Sequence, residues 1–372
     1  MRILHVSDSY LPRLGGIEVQ VDGIARAQRA AGHDVAVATA TPGHAGGPPP
    51  SSPYPVDRLV LPMPWELPVG RSVGALLTHR KPDVLHVHAG AASPFAWRAV
   101  GRGLDVGLPV VLTVHSLWGP LSRTAYRALF TSWSRRHGLV VTAVSEAAAH
   151  PVRRVVDDRV PVRVVSNGVD LERWHASGGP VPPGGGPMHV VAVGRLAPRK
   201  EPITLLRVLR DVAAAVPIRA TIVGEGPARA RMERFLRRHG MESWVRLTGR
   251  LDQPGVREVL AGADVFLAPA ARESFGLAAL EARLAGVPVV AQAGSGVADF
   301  VRSGREGLLG RTYADLSAAL VTLARDPSLR HRMAAHNRAT EPLRVTWPRV
   351  LEEFADCYEQ AAGVPLTPAR WT

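Results

Sequence analysis

Lysine is almost missing from this 372-residue chain: Lys81 and Lys200 are the only two, so the net charge of +13 is carried by arginine. Acidic partners suit such a balance. Charge alone does not choose among nucleic acid, an anionic membrane face, a phosphorylated substrate and a solvated surface biased toward Arg and Ala. Aromatic residues are scarce at 5%. With no helix-turn-helix, zinc-finger or aromatic-rich single-strand signature, nucleic acid is not an expected partner. Cys357 is the only cysteine, which excludes an internal disulfide and a four-cysteine zinc site and suits a reducing compartment. No run of about 18 uncharged apolar residues exists, and Met1–Ser7 enters a strand pattern directly, so neither a membrane span nor a signal peptide is expected. The expected location is the cytoplasm, with a weak, salt-sensitive contact to the inner membrane face left open by the arginine excess.

What is present is enough for two cores. Hydrophobic residues make up 46% and charged residues 21% of a chain too long for one ordinary domain. Short apolar runs at Arg2–Ser7, Asp34–Thr39, Asp83–His88, Pro109–Val114, Leu139–Val144 and Val162–Val165 are separated by helix-length stretches, the pattern of parallel strands buried on both faces. A helix is expected over Ile17–Ala31, stopped by Gly32. Ser177–Pro187 is Gly- and Pro-rich and reads as a linker. Strand runs then resume at Val190–Val193, Arg219–Val223, Val245–Thr248, Val265–Ala268 and Val287–Ala291. The expected organisation is a first doubly wound domain at 1–176, a linker at 177–187, a second such domain at 188–345, and a C-terminal helix and tail at 346–372. Trp347–Ala361 is amphipathic through Val350, Leu351, Phe354 and Tyr358, with its docking partner open. Thr41–Pro55, rich in Gly, Pro and Ser, reads as a mobile loop.

Ligands of open parallel sheets bind at the carboxyl ends of strands. Gly15 and Gly16 after the first strand let backbone amides approach an anion at a helix start, although a plain tight turn explains them as well. Val193-Gly194-Arg195 followed by Lys200 places a forked cation and a compact one five residues apart, which suits a diphosphate. Gly224-Glu225-Gly226 resembles a dinucleotide fingerprint but fails it, because Arg229 stands at the third glycine position. The sharpest group is Glu273-Ser274-Phe275-Gly276-Leu277, with Glu281 inside the helix that Gly286 and Pro288 end. If the whole interval were helical, the two carboxylates would stand about 12 Å apart along the axis. A retaining hydrolase pair needs roughly 5 Å, so they suit two parts of one elongated ligand instead. The amides of Phe275, Gly276 and Leu277 would face its phosphates. His115 ends a strand and reads equally as a hydrogen-bonded core residue. His86 and His88, two apart on a strand, suggest metal ligands only weakly, and no metal site is expected.

In this order the motifs resemble the retaining glycosyltransferases of family four, with the GT-B fold. The resemblance covers almost the whole chain. It implies an α/β protein of two doubly wound Rossmann-like domains facing each other across a cleft. It further implies that Arg195 and Lys200 bind the donor diphosphate, that Glu273 and the amides after it meet the sugar, that Glu281 grips the ribose, and that His115 lies beside the sugar. Gly15 and Gly16 join the donor-binding set, and catalytic roles fall to His115, Glu273, Lys200 and Arg195. Two positions depart from the family pattern: Glu201 stands where glycine is common, and Ala298-Asp299 replaces Pro-Glu. His115-Ser-Leu-Trp-Gly is similar to the branch that contains the N-acetylglucosaminyltransferase initiating GPI anchors, which favours a UDP-sugar slightly over GDP-mannose. The expectation is transfer of a hexose or N-acetylhexosamine from a nucleotide diphosphate sugar to a hydroxyl of a small-molecule or lipid acceptor, without cofactor or metal. Alternatives are a nucleotide-sugar epimerase on the same fold and a noncatalytic scaffold binding lipid or polyanion.

Overall fold

The computed structural model describes residues 1–13, 15–43, 52–61, 70–174 and 186–364. They divide into two compact units, Met1–Val169 with Leu343–Thr372, and Asp170–Pro342. Most of the linker at 177–187 and the segment 62–69 lie outside the described residues, as do residues 44–51 of the loop expected over Thr41–Pro55. Among the described residues, no helix is long and apolar enough to cross a membrane.

Unit 1 holds seven strands: β1 (Arg2–Ser7), β2 (Asp34–Thr39), β3 (Val56–Arg58), β4 (Val84–Ala89), β5 (Val110–Val114), β6 (Leu139–Ala143) and β7 (Val162–Val164). Their order is β3-β2-β1-β4-β5-β6-β7, all pairs parallel. The helices between them are α1 (Gly16–Ala30), α2 (Gly74–Arg80), α3 (Pro94–Asp105), α4 (Pro120–Trp133) and α5 (Glu146–Arg153). All six residues of β4 are buried, as a strand covered on both faces requires. Residue 54 is no part of a free loop: the Tyr54 hydroxyl meets the Tyr10 hydroxyl at 2.8 Å and donates to the Asp22 carboxylate at 2.6 Å.

Unit 2 repeats the plan with β8 (Met188–Val193), β9 (Ile218–Val223), β10 (Val245–Gly249), β11 (Val265–Ala268), β12 (Val289–Gln292) and β13 (Gly307–Gly310) in the order β10-β9-β8-β11-β12-β13. Its helices are α6 (Pro202–Ala213), α7 (Arg229–Arg238), α8 (Gln253–Ala261), α9 (Leu277–Leu284), α10 (Tyr313–Arg325) and α11 (Pro327–Ala339). In each sheet the winding reverses beside the first strand, between β1 and β4 and between β8 and β11, and such a reversal opens a crevice at the strands' carboxyl ends.

The last helix, α12 (Trp347–Ala362), belongs to unit 1. Its apolar stripe of Val350, Leu351, Phe354, Cys357, Tyr358 and Ala361 covers Ile3, Val84, Val111 and Val140 of the first sheet. The Trp347 indole lies against Gly23 and Gly168, where an added Cβ would collide with the ring. Gln20 clamps the same loop, accepting from the Gly168 amide at 3.0 Å and donating to the Gly168 carbonyl at 2.9 Å.

Candidate functional site

The switch point of the second sheet gathers most of the expected residues. Arg195 follows β8 and is exposed, with no side-chain partner among the described residues. Lys200 closes a short 3-10 turn at Pro198–Lys200, and its ammonium pairs with the Glu273 carboxylate, whose side chain keeps only 15% of its surface. Lys200 and Glu273 are therefore one unit of charge balance, brought together from positions far apart in the chain. The turn ends at Glu201 with φ 55° and ψ 46°, a left-handed backbone. This is why glycine is common at that position, since a Cβ there costs about 1 to 2 kcal/mol. Here the Glu201 carboxylate compensates by accepting from the Tyr313 hydroxyl.

The Glu273 loop is held by the loop after β12. The Gly296 amide donates to the Glu273 carbonyl at 2.9 Å, and a Cβ on Gly296 would run into the Ser274 carbonyl. Phe275 is buried against Phe300, with ring centroids 5.4 Å apart. Gly276, at φ 95°, opens α9 without a side-chain cap or an acidic residue in the first turn, so the positive end of the helix carries no compensating carboxylate of its own. Glu281 sits one turn into α9. Among the described residues its carboxylate has no hydrogen-bond or ion partner, and burial pushes it up to about 8. A carboxyl in that state is poised to gain from hydroxyl donors.

Gly224 and Gly226 have a structural explanation. At φ 140° and 156°, their backbones press against the chain after β8, where a Cβ would strike the carbonyls of Gly194 and Leu196. The Leu196 amide donates to the Glu225 carbonyl at 2.9 Å. The glycines let two strand-end loops touch, which positions Arg195.

Unit 1 contributes Gly15, Gly16 and His115. Gly15 is the extended N-cap of α1 and Gly16 its first residue. Glu18, 5% exposed, turns its carboxylate back onto Gly15 and lies 3.6 Å from the Arg13 guanidinium. His115, one residue past β5, lines a cavity with His88, Thr113, Gln20, Asn167 and Trp347. His115 is a hydrogen-bonded, largely buried residue, 9% exposed with its Nε2 3.1 Å from His88 Nδ1. Burial lowers His115 to about 4, so it is neutral near pH 7. The set continues inward to His5, which no sequence motif marks. His88 Nε2 is 2.9 Å from His5 Nδ1, and His5 Nε2 is 2.7 Å from Gln28 Oε1. His5, His86 and His88 form the one group of potential metal ligands among the described residues, with ligand atoms within 4.8 Å. Every ring nitrogen in it is already hydrogen-bonded, so a metal would have to displace those bonds.

Two doubly wound parallel sheets of this order are the architecture of the GT-B fold. Residues 14–173 match the family model described as Glycosyltransferase Family 4, and residues 182–340 match Glycosyl transferases group 1. The chain belongs to this glycosyltransferase family. It is 29% identical to a glycogen synthase of Mycobacterium tuberculosis over 96% of this chain and 94% of that one. It is 27% identical to a phosphatidylinositol N-acetylglucosaminyltransferase component of Arabidopsis thaliana over 80% of this chain and 68% of that one. The structure of Anabaena HepE in complex with UDP superposes with a TM-score of 0.77 at 20% identity, covering 96% of this chain and 99% of that one.

Proposed function

We propose that this glycosyltransferase moves a hexose or N-acetylhexosamine from a UDP-sugar, in preference to GDP-mannose, to a hydroxyl of a small-molecule or lipid acceptor, with retention at the anomeric carbon. The observation that carries the donor assignment is the Lys200–Glu273 pair beside the uncapped start of α9. A diphosphate arriving there meets a helix N-terminus, the exposed guanidinium of Arg195 and an ammonium held in place by a carboxylate. As the sugar–phosphate bond breaks, charge grows on the leaving phosphate, and Lys200 and Arg195 stabilise it. Glu273, with the amides of Phe275, Gly276 and Leu277, addresses the transferred sugar. Glu281 accepts from the ribose hydroxyls. From unit 1, neutral His115 offers a ring nitrogen to a sugar hydroxyl, and the amides at Gly15 and Gly16 serve the donor. No metal or organic cofactor enters this scheme, and any membrane contact is peripheral and electrostatic.

The UDP preference draws support from the UDP in the HepE complex. The test is a turnover screen of UDP-glucose, UDP-N-acetylglucosamine and GDP-mannose against sugar and inositol-lipid acceptors, reading nucleotide diphosphate release that depends on acceptor. The anomeric configuration of the product is read by proton NMR. Turnover with GDP-mannose alone, or an inverted product, would overturn the corresponding part.

A further inference from the structure

His115 stands at the end of a hydrogen-bonded chain whose direction is set some distance away. Gln28, on α1, makes two bonds of opposite kind: Nε2 donates to the Tyr358 hydroxyl at 2.8 Å, and Oε1 faces His5 Nε2 at 2.7 Å. A carbonyl oxygen can only accept, so His5 donates from Nε2 and, being neutral, accepts at Nδ1. His88 then donates from Nε2 to His5 and accepts at Nδ1, and His115 donates from Nε2 to His88. On the other side of Gln28, the Tyr358 hydroxyl, having accepted from Gln28, donates to His86 Nδ1 at 2.8 Å, and His86 Nε2 donates to Thr113 Oγ1 at 2.7 Å. All four histidines thus take the Nε2–H tautomer, which neutral histidine also prefers in water. Turning the Gln28 amide over would reverse every bond in both branches and put all four into the disfavoured form. Burial supports the scheme by keeping the four rings neutral, with His5 and His115 lowered to about 4 and His86 and His88 well below their ordinary value.

We propose that Gln28, His5 and His88 are positioning residues that fix His115 in the Nε2–H tautomer, leaving its Nδ1 as a hydrogen-bond acceptor. Among the described residues Nδ1 of His115 has no partner, whereas Nε2 is spent on His88. The ligand chemistry selected is a hydroxyl donor, as on a sugar. A ligand that offers His115 only an acceptor is refused, because the ring can donate there only if the whole chain reverses. This inference rests on the reading of His115 as facing the transferred sugar, while the tautomer itself is a property of the protein alone.

The experiment uses the full chain with heavy-nitrogen label on histidine and long-range proton–nitrogen correlation spectra at neutral pH. The His115 signals are assigned by their loss in His115→Asn. The expected wild-type result is one neutral His115 species with the proton on Nε2. In Gln28→Leu, which removes the polar anchor, His115 should become a mixture of tautomers. A wild-type His115 protonated on Nδ1, or one unchanged by Gln28→Leu, overturns the proposal. If Gln28→Leu does not fold, the wild-type spectrum still decides the tautomer. In the transferase assay, Gln28→Leu should lower kcat by roughly tenfold, the size expected for one weakened hydrogen bond, with donor KM little changed. A lost tautomer with unaltered kcat leaves the chain purely structural and refutes the positioning role. If wild type turns over no nucleotide sugar, the functional reading fails while the spectra still settle the tautomer.

Discussion

Binding of a nucleotide diphosphate should release a proton from Glu281. Its carboxyl is without a partner among the described residues and raised by burial to about 8. At pH 7 only about one molecule in ten then carries it ionised. Ribose hydroxyls donating to the carboxylate favour the charged form, so the bound state holds Glu281 ionised. Binding at pH 7 should expel close to one proton. The sign follows: affinity rises with pH, by up to about tenfold per unit between pH 6 and 8, and levels off above 8. Glu281→Gln should abolish that slope and, above pH 8, weaken UDP roughly tenfold to a hundredfold, the contribution of hydrogen bonds to a charged group. The assay is titration calorimetry at pH 7 in two buffers of different ionisation enthalpy, with UDP and its 2′-deoxy analogue, on both proteins. Protons released by the phosphates themselves are common to both and cancel. Equal proton release from wild type and Glu281→Gln, or equal affinity of wild type for the two ligands, would refute the assignment of Glu281 to the ribose.

Lys200→Met should cut turnover by roughly a hundredfold, as for loss of a preorganised charge stabiliser, with little change in thermal unfolding; wild-type turnover in a folded variant removes Lys200 from the site. Transfer should survive EDTA, and activity abolished by chelation and restored by manganese would contradict the metal-free scheme. Glu306 is fully buried among Arg302, Arg283 and His336 and is held down to about 2. Glu306→Gln should therefore destabilise by about 3 kcal/mol in urea unfolding. The stabilisation is present above the ordinary glutamate range and lost as pH falls toward 2, so the difference between the proteins should shrink in acid. Glu201→Ala, which keeps the left-handed strain and loses the Tyr313 bond, should unfold more easily than Glu201→Gly, which loses both; the reverse order would show that the strain is negligible.

Runs of apolar residues announced eleven of the strands, most plainly where a strand such as β1 at Arg2–Ser7 or β4 at Val84–Ala89 has no solvent face to confuse the pattern. The two strands that went unread, β3 and β13, sit at sheet edges, and the Gly-Leu-Leu-Gly of β13 is too short to show a period. Lys200, Glu273 and Glu281 were legible as residue types at a spacing. Their arrangement was not, since the Lys200–Glu273 contact depends on β8 and β11 being neighbours, which no local pattern states. The same blindness hid His5. It lies beside His86 in register only because β1 pairs with β4 across the switch point. The Gly224–Gly226 pair was visible but open in meaning, because close approach of two backbones leaves the same trace as a phosphate-binding turn.

The docking of α12 on unit 1 has a consequence for biosynthesis. On the ribosome, residues 343–362 emerge only after the whole of unit 2, yet they supply the cover for Ile3, Val84, Val111 and Val140. Until then the nascent first sheet has part of one apolar face bare, and Gln28 and His86 wait for the Tyr358 hydroxyl that joins them. A chain stopped at Pro342 would carry every strand of both sheets and would still present that face to chaperones or to other chains.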